Sequence, residues 1–170
     1  MSNLRAIKKR IGTVRNTQQI TRAMKLVSGA KLRRAEERVR AFRPYADELR
    51  QTLTSLVARG EGLQHPLLQP GSSQAPRLYV LVSSDRGLCG AFNSNIIRTT
   101  LRHLEEEGLS PNDVVFYTVG RKSTEQAKRR GWQTLGSVAP LPEPPSPELV
   151  ARIAGDLTEA FLAGAVGQVR

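Results

Sequence analysis

Leu4-Arg-Ala-Ile-Lys-Lys-Arg-Ile-Gly-Thr-Val-Arg-Asn-Thr-Gln-Gln-Ile-Thr-Arg-Ala-Met-Lys-Leu-Val-Ser28 opens the chain with a helical signature. Leu4, Ile7, Ile11 and Val14 recur at alternating spacings of three and four. The register continues through Gln18, Thr21, Lys25, Ser28, Leu32, Ala35, Val39, Phe42, Ala46, Leu49, Leu53 and Leu56. This is a heptad pattern, the signature of a helix that pairs with another helix. At a rise of about 1.5 Å per residue such a helix reaches about 80 Å, too long for a compact small domain. It therefore protrudes and requires a partner helix.

Two faults interrupt the seam. Between Gln18 and Ser28 it turns polar, while Ile20, Met24 and Val27 appear one place earlier, which turns the apolar face by about 100°. The helix offers a second surface there, flanked by the charges of Arg22 and Lys25. Pro44 is the other fault: it removes a helical hydrogen bond at a cost of roughly 3 kcal/mol, so a bend or a restart is expected. Gly12 and Gly29 each weaken the helix by about 1 kcal/mol relative to Ala, and close approach of a second backbone would offset that.

Charge follows the same division. Residues 1–43 hold thirteen Lys and Arg against Glu36 and Glu37, whereas residues 44–170 hold thirteen of each sign, so the whole excess of +11 lies on the N-terminal segment. No Asp or Glu precedes residue 36. Such a segment attracts an acidic partner: a phosphate backbone, an anionic membrane or an acidic protein surface. The lone Cys89 excludes an internal disulfide, which fits a reducing compartment, and His65 and His103, both expected at the surface, form no metal-ligand spacing. No stretch approaches the roughly 18 apolar residues of a membrane span, and the polar start excludes a signal peptide.

Residues 60–76 (GEGLQHPLLQPGSSQAP) read as a linker, because Gly, Pro and Ser punctuate them. Beyond it, Arg77–Ser83 reads as a short buried strand, Asp113–Val119 as a second strand and Trp132–Val138 as a weaker one. Helices are expected over Asn95–Glu107 and Ser123–Arg130, and from about Pro147 to Gly164, with the last residues beginning another strand. A proline-rich crossover holds Pro140, Pro142, Pro144, Pro145 and Pro147. Strands alternating with helices imply parallel pairing through right-handed crossovers. The fold class is therefore α/β: a long basic coiled-coil helix over 1–59, a linker over 60–76 and an open parallel, Rossmann-like sheet domain over 77–170, incomplete at its C-terminus.

The loop Ser83-Ser-Asp-Arg-Gly-Leu-Cys-Gly-Ala91 leaves the first strand where doubly wound sheets bind ligands. It lacks the Gly-Lys-Ser/Thr of a Walker loop and the three spaced glycines of the dinucleotide fingerprint. Gly87 and Gly90 are expected to permit a tight turn, with Asp85 and Arg86 as an ion pair or a contact to a partner. Cys89 has neither histidine near it in sequence to act as a base, so no catalytic residue, cofactor site or metal site is assigned.

The residues 4–28, the basic cluster Lys31–Arg34, Arg43-Pro-Tyr-Ala46 and Ser84-Asp-Arg-Gly-Leu-Cys-Gly90, in this order, resemble the gamma-subunit family of rotary F-type ATP synthases. The resemblance implies a non-catalytic central-stalk rotor subunit. Its N-terminal helix would pair antiparallel with a C-terminal helix inside the sleeve of alpha and beta subunits, with Ile20, Arg22, Met24, Lys25 and Val27 meeting that head. Asp85, Arg86, Gly87, Cys89 and Gly90 would form a partner contact or a structural loop. The α/β domain would meet epsilon and the membrane c-ring, at the cytoplasmic face of the bacterial plasma membrane. The chain matches little more than the first half of that family's length. Two rival readings remain at this point: a basic-helix nucleic-acid binder, which lacks aromatic interleaving and a reading motif, and an α/β nucleotide-using enzyme, which lacks the phosphate loop.

Overall fold

The computed structural model describes residues 2–59 and 65–170, in two units, Met1–Leu63 and Gln64–Arg170. The first is a single helix, α1 (Ser2–Ala58), about 85 Å long at the standard rise. Pro44 lies inside it, and the helix neither ends nor restarts there. Its heptad residues are exposed, Leu4 and Val39 among them, apart from the half-buried Ala46, so among the described residues of the unit no second element covers the seam. A methyl group at Gly12 or Gly29 would meet no atom within contact range. Thr13, Thr17 and Thr21, one turn apart, each donate a hydroxyl hydrogen bond to the carbonyl four residues back, at 3.1, 3.0 and 2.8 Å.

The second unit is the expected open parallel sheet. Its elements are β1 (Arg77–Val82), α2 (Phe92–Glu106), β2 (Val114–Val119), α3 (Arg121–Arg130), β3 (Thr134–Val138), α4 (Pro147–Leu162) and β4 (Gln168–Val169). The strands lie in the order β3-β2-β1-β4, all parallel, with β1 and β2 in continuous register from Arg77 opposite Val114 to Val82 opposite Val119. Because the order reverses between β1 and β4, the loop after β1 sits at the topological switch point of the sheet.

Alternation along the strands supplies two cores. Tyr79, Leu81, Val114 and Phe116 face Ile97 and Leu104 of α2, Ala127 of α3, and Trp132. Leu78, Val115, Tyr117 and Val119 face Ala160, Leu149, Ile153, Leu157 and Phe161 of α4. All six residues of β2 are buried, as a central strand covered on both faces requires. Phe116 stacks on Trp132 with ring centroids 4.5 Å apart. Tyr117 donates its phenolic hydrogen to Asp156 Oδ2 at 2.6 Å, pinning α4 to the sheet. Burial, and then the Asp156 carboxylate, push the Tyr117 hydroxyl up to about 12.

Residues 60–64 of the expected linker lie outside the described residues. From His65 on, the segment packs on the second unit. His65 Nδ1 accepts from Leu67 N–H at 3.2 Å, starting a 3₁₀ turn over Pro66–Leu68. Gly71 then crosses Gly167 so closely that a methyl group at either would overlap the other segment's backbone, and Gly167 N–H donates to Pro76 O at 3.0 Å. His103 is not a free surface residue. It is half-buried between Glu107 and Arg170, with Nε2 2.9 Å from the guanidinium.

Candidate functional site

The loop Ser83–Ala91 is held by side chains that sequence spacing does not reveal. Both oxygens of Asp85 accept backbone N–H groups, Oδ1 from Arg121 at 2.7 Å and Oδ2 from Leu141 at 2.6 Å. The carboxylate thus bridges the start of α3 and the crossover after β3, which replaces the expected ion pair with Arg86. Lys122 N–H donates to Ser84 O at 3.1 Å, and Ser123 N–H to Ser83 Oγ at 2.7 Å. Three successive amides of the first turn of α3 are therefore capped by three successive residues of the loop. The N-cap itself, Gly120, offers no side chain; at φ 99° it lies against Ser83 O. A carboxylate is the favourable partner for this positive helix end. The amides that a phosphate would need at this helix are already engaged.

A second set of bonds folds the loop onto α2. Asn93 Oδ1 accepts from Ser84 N–H at 3.1 Å, and Asn93 Nδ2 donates to Ser84 Oγ at 2.9 Å and to Cys89 Sγ at 3.0 Å. Ser84 Oγ–H donates to Arg86 O at 2.6 Å. Cys89 is thus an acceptor in a structural network with serine and asparagine around it. Of the two expected turn glycines, Gly90 takes φ 58°, but Gly87 does not need its freedom; the other positive φ, 62°, falls on Leu88. Leu88 is 94% exposed. Sequence reading missed it, along with Asn93 and Ser84, because a leucine between glycines carries no periodic signal.

On α1, Ile20, Met24 and Val27 stand at spacings of four and three, so they share one face, and all three are exposed, as are Arg22 and Lys25. The helix has no acidic residue in its first turn and no basic residue in its last. Its terminal turns therefore carry no charge that offsets the helix dipole.

A family model described as ATP synthase matches residues 3–170. An ATP synthase gamma chain of Trichlorobacter lovleyi is 43% identical over 169 residues, covering 99% of this chain and 58% of the relative. That of Geobacter metallireducens is 50% identical over 130 residues, 76% of this chain and 45% of the relative. The chain belongs to the ATP synthase gamma family. It spans little more than half the length of the gamma chains it matches; a third, from Symbiobacterium thermophilum, is 40% identical over 169 residues and is likewise 58% covered. Among solved structures, the rotor of the Euglena gracilis mitochondrial ATP synthase aligns with a TM-score of 0.39 at 18% identity, covering 77% of this chain and 54% of that one, a likeness too weak to bear on the fold. Among the described residues no helix is long and apolar enough to cross a membrane.

Proposed function

We propose that the chain is a non-catalytic rotor element of the central stalk of an F-type ATP synthase, coupling proton flow through the membrane c-ring to ATP synthesis or hydrolysis in the alpha–beta head. The observation that carries this reading is α1: fifty-seven residues of helix whose apolar seam is exposed along its length, in a chain of the gamma family. A helix of this kind gains its stability from packing rather than from propensity. Pairing with an antiparallel helix would cover the seam and stiffen the shaft. Ile20, Met24 and Val27, with Arg22 and Lys25, would face the levers of the head. Asp85, Arg86, Gly87, Cys89 and Gly90 would hold the loop that meets a neighbouring subunit. The α/β unit would lie toward epsilon and the c-ring, at the cytoplasmic face of the bacterial plasma membrane.

A shaft that meets several levers in turn must push each without being held by it. Modest apolar contacts and solvent-screened charges meet that demand, because exposed charges lose most of their attraction beyond about 10 Å in ordinary salt. Met24→Lys adds a cation on the face presented to acidic levers and should degrade coupling while sparing assembly. ATP-driven proton pumping and ATP hydrolysis are to be measured on the same complex; an unchanged ratio removes Met24 from the coupling surface. The comparisons give the nucleic-acid alternative no support. A gel shift at two salt concentrations checks it, since tight binding with a steep salt dependence is the mark of phosphate contacts.

A further inference from the structure

We propose that His103 is an acid-released latch. Its neutral imidazole helps hold Arg170, and with it the end of β4, against α2, and protonation transfers the Glu107 carboxylate from the arginine to the histidine.

The tautomer follows from what surrounds the ring. Arg170 Nη1 lies 2.9 Å from His103 Nε2 and 2.8 Å from Glu107 Oε1. A guanidinium nitrogen donates and never accepts, so Nε2 offers its lone pair and the ring carries its proton on Nδ1. Nδ1 faces Glu106 Oε2 at 4.0 Å, the side where a donor is favoured. One arginine nitrogen thus bridges two groups that stand one turn apart on α2. His65, the chain's other histidine, holds the opposite tautomer, because its Nδ1 accepts from Leu67 N–H and the proton is left on Nε2.

Protonation inverts the arrangement. A histidinium donates from both nitrogens, so a proton taken from solvent at Nε2 turns the short contact with Arg170 into a meeting of two donors and two positive charges. Glu107 Oε1 lies 3.4 Å from the same nitrogen, within reach of the new N–H after a small rotation. The pair formed is a contact between neighbours on one helix face. Arg77 of β1 already engages the other oxygen of Glu107, so a third cation competes for a single carboxylate. Glu106 favours the charged ring as well and shares its charge with Arg102 at 3.7 Å. From β1, Tyr79 adds its ring, with centroids 6.0 Å apart.

Release of the side chain is felt in the sheet. β4 is two residues long, Gln168–Val169. Beyond it, Arg170 N–H donates to Leu78 O and Val80 N–H to Arg170 O, both at 2.8 Å. So short a strand has few backbone bonds to hold it, and the grip of α2 on the Arg170 guanidinium secures its end. Histidine is the side chain that changes charge between about pH 5 and pH 8, so mild acid loosens this edge while the six paired residues of β1 and β2 are left in place.

The test uses the whole chain. Long-range proton–nitrogen NMR of the imidazoles at about pH 8 should find the proton of His103 on Nδ1 and that of His65 on Nε2. Amide hydrogen exchange, corrected for the effect of pH on the chemical rate, is then compared at about pH 8 and about pH 5. Protection of Val80 and Arg170 should fall roughly tenfold in acid, the order expected for the loss of one charge-assisted hydrogen bond. Phe116, whose N–H donates to Gln133 O in the middle of the sheet, should keep its protection. His103→Gln retains an acceptor but does not titrate, and should abolish the acid-dependent loss. Arg170→Ala should show the low protection already at the higher pH. A His103 proton on Nε2 at the higher pH, protection that is equal at both, the same acid-dependent loss in His103→Gln, or undiminished protection in Arg170→Ala would each overturn the latch. The first two are read on the unaltered chain, so they decide even where a variant fails to fold.

Discussion

Leu32 of α1 is 60% exposed and Leu78 of β1 is fully buried, and the two leucines stand for two ways of using apolar residues. The sheet unit alternates its side chains into two cores and satisfies itself. The helix places a comparable apolar stripe where its own unit has nothing to cover it. Heptad spacing alone does not say whether a stripe will be covered. One unit buries its apolar residues in its own cores, and the other leaves most of them exposed.

The sharpest way to break that contrast is to remove apolar volume from each unit. Phe116→Ala, at a fully buried residue stacked on Trp132, should cost about 3–5 kcal/mol. Leu32→Ala should change stability by less than about 0.5 kcal/mol, as an exposed substitution does. Urea unfolding followed by the single tryptophan and by far-ultraviolet circular dichroism reads both; a large cost at Leu32 would mean that the chain covers its own seam. Glycines sharpen the comparison. Gly120→Ala meets both a φ of 99° and the Ser83 carbonyl, and should destabilise the sheet unit by roughly 2–4 kcal/mol. Gly29→Ala has open space around it and should instead strengthen α1 by about 1 kcal/mol, seen as higher helicity on heating.

A pH titration probes the sheet unit alone. Tyr117 titrates at about 12 in the folded chain, against about 10 when unfolded. A group whose pKa is raised by folding stabilises the fold below its unfolded value, and that contribution is lost as pH climbs from about 10 through about 12. Tyr117→Phe should flatten this alkaline step, at a neutral-pH cost of about 1 kcal/mol for the lost bond to Asp156. Thermal melts across that range give the answer. The smallest effect is expected for Cys89→Ser. A hydroxyl can still accept the Asn93 N–H, so stability should shift by about 0.5 kcal/mol or less, with assembly and ATP hydrolysis retained in the complex.

Much of this was legible in the residues because the signals were local. Val114–Val119 is an unbroken β-prone run, so it reads directly as a strand. Ser146 and Pro147 stand at the N-cap and first turn of α4, and Ser146 Oγ accepts from Leu149 N–H at 3.2 Å, as those residue types dictate. The start of α2 was missed by three residues, at Phe92 rather than Asn95, because its N-cap is Ala91 and offers no side-chain cap. The role of Asp85 was not legible at all. Its two partners lie 36 and 56 residues downstream, and only the parallel crossovers bring them to one end of the sheet. Leu88 was hidden for a different reason: its conformation is imposed by neighbours, not by its own preference.

The meeting of residues 71–76 with β4 has a mechanical consequence. The chain enters the sheet at the start of β1 and runs through β4 in the same direction, so tension applied between residue 65 and residue 170 pulls the two strands past one another lengthwise. Gly167 N–H to Pro76 O, Arg170 N–H to Leu78 O and Val80 N–H to Arg170 O would then bear the load together, in shear, instead of parting one after another as a hairpin's bonds do when it is peeled open. The crossed backbones of Gly71 and Gly167 act as a stop at the same seam. Torque carried through this unit would meet a joint that resists sliding until several bonds yield at once.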